Sequence, residues 1–171
     1  MNSFRLSLLR PFFKGDSLES EFAFVNYYHS QPINRLLHTL AIPLLIFGIL
    51  TITSSISSQL SLAFVIFYCL IVSLYDYKAA LGYLILFGMI FILTTIVSTR
   101  VSYGLLVFMI GLIIQGLGHY VFQKYSPAFR LFEAVFTTPV FLMMSLIHDH
   151  NQPFWKNLKS ETIKWEKLLR K

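Results

Sequence analysis

Residues 36–75 read LLHTLAIPLLIFGILTITSSISSQLSLAFVIFYCLIVSLY, forty positions between Arg35 and Asp76 without a Lys, Arg, Asp or Glu. A bilayer crossing takes about 20 apolar residues, so this stretch is long enough for two. The hydroxyl-rich patch from Thr51 to Gln59 is the expected turn between them, which places spans at 36–54 and 60–75. Asp76-Tyr77-Lys78 then makes a short polar break with an aromatic ring at interface level. Two further charge-free runs follow, at 79–99 and 101–123, separated by Arg100 alone. The expected fold is all-α: a single polytopic membrane bundle over residues 1–171 with about four transmembrane helices.

The rest of the chain fits the same reading. Of its 171 residues 56% are hydrophobic and 13% charged, and the mean hydropathy is +0.65. A soluble domain is usually about 25% charged, so this composition excludes an ordinary soluble domain, a disordered chain and a disulfide scaffold. Cys69 is the only cysteine and can form no internal disulfide. The net charge of +6 is concentrated at the two ends. Arg5, Arg10, Lys14 and Arg35 precede the first span, and Lys156, Lys159, Lys164, Lys167, Arg170 and Lys171 crowd the tail. No basic stripe suits nucleic acid; these clusters suit anionic headgroups of membrane lipids.

Positive-inside logic puts both termini in the cytoplasm and asks for an even number of crossings. Fifteen uncharged residues separate Glu133 from Asp149, with Pro139 among them. So short a run is expected to form a half-inserted, re-entrant or interfacial helix over 131–147. Asp16 and Glu19 form a possible capping box for an amphipathic helix over 16–30, with Leu18, Phe22, Val25 and His29 on one face. Over 153–171, Trp155, Leu158, Thr162, Trp165 and Leu169 make the apolar face of a basic amphipathic tail, suited to the headgroup plane or to packing on the domain. The first ten residues hold two arginines and no sustained apolar stretch, so no cleavable signal peptide is expected.

The five histidines are His29, His38, His119, His148 and His150. On this topology all five fall on the cytoplasmic side. Ionisable groups near a membrane core are costly and point to function. A continuous helix would set His29 and His38, nine residues apart, on opposite faces. Pro32 breaks that geometry. A turn at 31–33 and a new helix capped by Asn34 would bring the two imidazoles together. Gln115 and His119 are four apart and share a face, and Gly116 and Gly118 allow close approach. Converging neutral imidazoles suit iron, zinc or copper rather than magnesium or calcium. His29, His38 and His119 are therefore the expected metal ligands, while His148 and His150 are as well suited to plain hydrogen bonding at the interface.

Two motifs carry a family resemblance. The first is Tyr28-His29-x-x-Pro32-x-Asn34-x-x-x-His38 followed by Pro43; the second is Gln115-x-x-Gly118-His119-x-x-Phe122, then Pro127-Ala128 and Pro139-x-Phe141. Together they span roughly residues 22–145, and they resemble the membrane-bound 2-hydroxy-fatty-acid dioxygenases. The family commonly has Gly at Ala41, Glu at Gln123 and Glu at Ser145. By the resemblance His148, one turn on, replaces the last as the expected fourth metal ligand. On the same ground His29, His38 and His119 form the expected catalytic centre, and His150 matters least. The resemblance implies Fe(II)-dependent alpha-oxidation, in which a long-chain 2-hydroxy fatty acid loses one carbon to molecular oxygen without 2-oxoglutarate. It also makes Asn34, Arg35, Gln115, Lys124 and Arg130 candidate substrate contacts, Arg35, Lys124 and Arg130 being equally suited to lipid headgroups.

Other readings have their own signatures. A diiron lipid hydroxylase needs about eight histidines in dense boxes, whereas the close pair here is His148-x-His150 alone. A non-enzymatic membrane scaffold or lipid-binding protein would use the histidines only against headgroups. A transporter would carry ionisable residues inside its spans, and these spans have almost none. A bacterial inner membrane and the endoplasmic reticulum obey the same charge rule, so both fit. Nothing in the sequence sets the oligomeric state.

Overall fold

The computed structural model describes residues 7–97, 100–124, 126–128 and 130–169. Arg5, Arg170, Lys171 and positions 98–99 of the third expected span lie outside the described residues. Among the described residues every regular element is helical: α1 (Leu18–Tyr28), α2 (Pro32–Ile56), α3 (Ser58–Tyr75), α4 (Tyr77–Val97), α5 (Val101–Leu117), α6 (Thr138–Ile147) and α7 (Pro153–Leu169). Two π-helical segments interrupt the pattern. Gly118–Gln123 continues α5, and Glu133–Thr137 leads into α6.

Four helices are long and apolar enough to cross a membrane: Pro32–Ile56, Ser58–Tyr75, Tyr77–Ile96 and Val101–Gln123. Their outward faces expose Leu62, Phe67, Leu84, Ile92, Leu105 and Ile113. Such a continuous apolar surface is stable against lipid and not against water. The helix Glu133–Ile147 is apolar but shorter.

Helices α2 and α5 pack along most of their length. A Cβ at Gly48 would stand 2.6 Å from Phe108 Cβ, and one at Gly111 would stand 2.9 Å from the Leu45 side chain. The missing side chains let the two backbones close up, as small residues do wherever helices pack tightly in a bilayer.

The shorter helix is held by tyrosines from α3 and α4. Pro139 has no N–H to return to the Val135 carbonyl one turn earlier; Tyr68 donates its hydroxyl there at 3.0 Å. Tyr75 shares a 2.9 Å hydrogen bond with Thr137 Oγ1, and Tyr83 donates to the Pro139 carbonyl at 3.0 Å. Each hydroxyl satisfies a polar group that an apolar interior would otherwise strand.

Several local expectations need correcting. Ser17, not Asp16, caps α1, accepting from Ser20 N at 3.1 Å, while Asp16 pairs with Arg10. Gln31, not Asn34, holds the N-cap position of α2, because Pro32 supplies the first helical residue. The turn expected between Thr51 and Gln59 falls at Ser57 and is shorter than that patch: α2 runs to Ile56 and α3 starts at Ser58. Hydroxyls bonded within and between the two helices, such as Thr53 to the Ile49 carbonyl and Ser54 to Ser61, remove the need for a solvated turn. The tail helix lays its tryptophan face on α1, the second of its two expected arrangements. Trp165 donates its indole N–H to the Ser20 carbonyl at 2.9 Å, and Asn26 bonds Thr162 at 3.0 Å.

Candidate metal centre

Helix α1 ends at Tyr28, leaving His29 as its C-terminal cap, and Pro32 restarts the chain as α2. That break swings His29 over the second turn of α2, where His38 sits. His119 arrives from the opposite direction on the π-helix after α5. A π-turn adds a residue to the helical ring and re-aims the side chains around it, which is why such turns recur at functional sites. The ring centroids lie 4.6 Å (His29–His38), 5.0 Å (His29–His119) and 4.8 Å (His38–His119) apart, and all three side chains are buried.

The ring nitrogens are oriented as metal ligands are. His29 Nδ1 lies 2.8 Å from the Val25 carbonyl, and His38 Nδ1 lies 3.0 Å from the Asn34 carbonyl. A carbonyl only accepts, so each Nδ1 carries the proton and each Nε2 keeps its lone pair. Burial, reinforced by His38, holds the His29 imidazole well below its ordinary titration range, so it stays neutral. His29 Nε2 and His119 Nδ1 are buried without a hydrogen-bond partner. The three rings present ligand atoms all within 4.8 Å of one another, a group that could hold a metal ion. Neutral nitrogen donors of this kind suit Fe, Zn or Cu.

The junction carrying two of these histidines is locked by a single side chain. Gln123 Oε1 accepts from Gln31 N at 3.0 Å and from Asn34 Nδ2 at 3.3 Å. Its Nε2 donates to the Tyr27 carbonyl at 3.2 Å and to Ser30 Oγ at 2.8 Å. Gln123 follows His119 by four residues, so one amide fixes all three imidazoles relative to one another. Arg35 adds a staple, donating to the His29 carbonyl and Asn26 Oδ1 while its guanidinium lies 5.6 Å from the Phe141 ring centre.

Beside the rings lies a cavity of about 310 Å³, walled by Tyr28, Gln115, Arg130, Glu133 and Pro139 among others. Arg130 Nη1 sits 3.5 Å from Glu21 Oε1 and 3.6 Å from Glu133 Oε2. Two acids thus face one cation. Burial, with Glu21 nearby and Arg130 opposing, pushes the Glu133 carboxyl up to about 7.

With this geometry in view, the comparisons with known proteins are informative. Over 140 residues the chain is 32% identical to the 2-hydroxy-palmitic acid dioxygenase MPO1 of Saccharomyces cerevisiae, covering 76% of this chain and 79% of that protein. The chain belongs to the family of that dioxygenase. No family model matches it, and no solved structure does.

For a member of this dioxygenase family, the candidate residues fall into two groups. His29, His38, His119, Gln115 and Arg130 come together around the cavity. Asn34, Arg35 and Lys124 do not line it: Asn34 and Arg35 brace the α1–α2 junction, and exposed Lys124 ends the π-helix with a left-handed φ of 59°. His148 also stands apart from the three histidines. Its Nε2 donates to Asp76 Oδ1 at 3.2 Å, the same oxygen that caps α4 by accepting from Ala79 N at 2.8 Å. His150 bonds the Ser145 carbonyl at 2.8 Å and stacks on Trp155.

Sequence reasoning missed Glu21 and Glu133 as parts of the cavity's surroundings, and it treated Gln123 only as a departure from the family pattern. The signal for Glu21 was present. An acid immediately before the apolar run Phe22-Ala23-Phe24-Val25 calls for a cationic partner once that run is buried.

Proposed function

We propose that the protein is an Fe(II)-dependent dioxygenase that shortens long-chain 2-hydroxy fatty acids by one carbon. The observation that carries this reading is the convergence of three buried imidazoles, with ligand nitrogens all within 4.8 Å of one another, beside a cavity that adjoins an apolar one. The overall reaction balances as 2-hydroxy acid plus O2 giving the acid one carbon shorter, CO2 and water. Fe(II) held by His29, His38 and His119 would supply the redox chemistry and open positions for the substrate's hydroxyl and carboxylate oxygens.

The chain's own residues do the rest. The Val25 and Asn34 carbonyls hold two ring tautomers, and Gln123 holds the junction. Arg130 Nη1 is ion-paired with Glu21 and Glu133 at 3.5 and 3.6 Å without a hydrogen bond to either, and it is the cation lining the cavity to which a substrate carboxylate is drawn. Glu133, with its carboxyl near neutrality, exchanges a proton at the cavity wall. The basic ends support cytoplasmic termini, a half-inserted 131–147 segment and a site opening toward the cytoplasmic leaflet, in a bacterial inner membrane or the endoplasmic reticulum.

The test is conversion by anaerobically purified protein loaded with Fe(II). A long-chain 2-hydroxy acid should lose one carbon only when oxygen is admitted, and 2-oxoglutarate should change nothing. The unsubstituted acid lacks the chelating hydroxyl and should not react. Hydroxylation of that acid at an equal rate, or no reaction by the iron-loaded protein, would sink the proposal.

A further inference from the structure

A second cavity, of about 250 Å³, lies deeper between α2, α3, α4, α5 and the Glu133–Ile147 helix. It shares Ile42, Leu112, Gln115, Ala134 and Pro139 with the histidine cavity, so the two adjoin. No charged side chain lines the deeper one, and the Tyr68 hydroxyl is already spent on the Val135 carbonyl. A polar occupant would give up hydrogen bonds to water and find few replacements, whereas an alkyl chain loses none. The far wall is built by Ile49, Phe64 and Phe108, with Phe64 braced 6.0 Å from Phe87 and Phe87 braced 5.0 Å from Tyr68.

Resting on the dioxygenase reading, we propose that this second cavity is the channel for the substrate's acyl tail and that Ile49, Phe64 and Phe108 set the longest tail accepted. The length agrees. From His38 to Ile49 is eleven helical residues, about 16 Å along α2. An extended alkyl chain advances about 1.3 Å per carbon, from a C–C bond of about 1.5 Å, so this run takes about a dozen carbons beyond the head group. Leu131 lines the channel and is 80% exposed, which leaves the wall open to lipid on one side. A fatty acid already dissolved in the leaflet can slide in laterally and bring its head group to the histidines.

The experiment uses the full chain with Ile49→Trp and Phe108→Ala, against a homologous series of saturated 2-hydroxy acids. Turnover is measured with Fe(II) and oxygen. Binding is measured anaerobically by displacement of a fluorescent long-chain fatty acid. Ile49→Trp should move the preferred acid shorter by about two to four carbons and lower kcat/KM for the wild-type optimum about tenfold or more. Phe108→Ala should move the preference the other way, and bound iron should stay at the wild-type level in both, which excludes misfolding as the cause.

Turnover with an unmoved profile in both iron-loaded variants overturns the channel and leaves the dioxygenase reading standing. A shifted binding profile without turnover in any form overturns the dioxygenase reading and keeps the channel. Co-purified phospholipid that the acids fail to displace assigns the cavity to a structural lipid and overturns the channel.

Discussion

The two ends of α2 both gather buried polar side chains, and they treat them in opposite ways. At the Ile56 end, Thr53 and Ser54 converge on Ser61, which itself donates to the Leu50 carbonyl at 3.2 Å. Every hydroxyl there has a partner. At the Pro32 end, Asn34 Oδ1, His29 Nε2 and His119 Nδ1 are buried with none, while nearby Glu21 Oε1, Arg130 Nη1 and Glu133 Oε2 have only their ion pairs with one another at 3.5 and 3.6 Å. Buried polar atoms are almost always paired in folded proteins, so a cluster of orphans marks a place built to receive something. The hydroxyl end closes a helix turn. The histidine end has been left open.

The largest effect should separate the two ends outright. Alanine at His29, His38 or His119 is expected to abolish conversion of the 2-hydroxy acid and to strip iron from the purified protein, with helix content unchanged by circular dichroism. Ser61→Ala should keep full iron and activity and lower stability by about 1 kcal/mol, the worth of an ordinary hydrogen bond. Iron retained in the triple histidine variant would erase the contrast.

A smaller effect tests how tightly the open end is packed. A Cβ at Gly118 would collide with Asn34 Oδ1 and come within 3.3 Å of His38 Cε1. Gly118→Ala should cost about 1–3 kcal/mol, as overpacking does, and weaken iron binding. At Gly116 nothing lies within 4 Å of the same atom, so Gly116→Ala should hold or raise the unfolding temperature in detergent. Equal effects at the two glycines would mean that Asn34 is not clamped.

The smallest effect is a pH dependence. The folded protein raises the Glu133 carboxyl from 4.5 to about 7. Between those values the native state binds more protons than the unfolded chain, so this group's contribution to stability falls as pH rises through that window. Glu133→Gln cannot lose a proton. Its unfolding temperature should therefore gain on the wild type from pH 5 to pH 8, with the difference levelling off above about 7. A gap that narrows with rising pH would overturn the assignment.

The extent of the spans was legible because it follows from a local rule. A helix closes its own backbone hydrogen bonds and lipid tolerates only apolar side chains, so charge-free runs mark the four long apolar helices, though the first begins at Pro32 and takes in Arg35, and the third begins at Tyr77 and takes in Lys78. The Pro32 break was legible for the same reason, since a proline acts on its own turn. The α2–α3 turn was legible in place, at Ser57 within the hydroxyl-rich patch, but not in length, because hydroxyls look like a longer turn by composition. Paired with one another and with nearby carbonyls, they sit comfortably in helix ends. Asp16 looked like the cap of α1, and only the backbone geometry at Ser17 shows which oxygen faces the free N–H.

The sequence by itself determined the all-helical membrane character, the family, and the three histidines worth watching, because each rests on composition or on short spacings along the chain. Only the tertiary structure decided that His148 turns to Asp76 while His119 turns to His29 and His38. It alone showed Gln123 bonding across ninety-two residues to Gln31, and Glu21 and Glu133 sharing Arg130. Those choices depend on how helices distant in sequence cross and on which buried donors then find acceptors, and no local pattern encodes either.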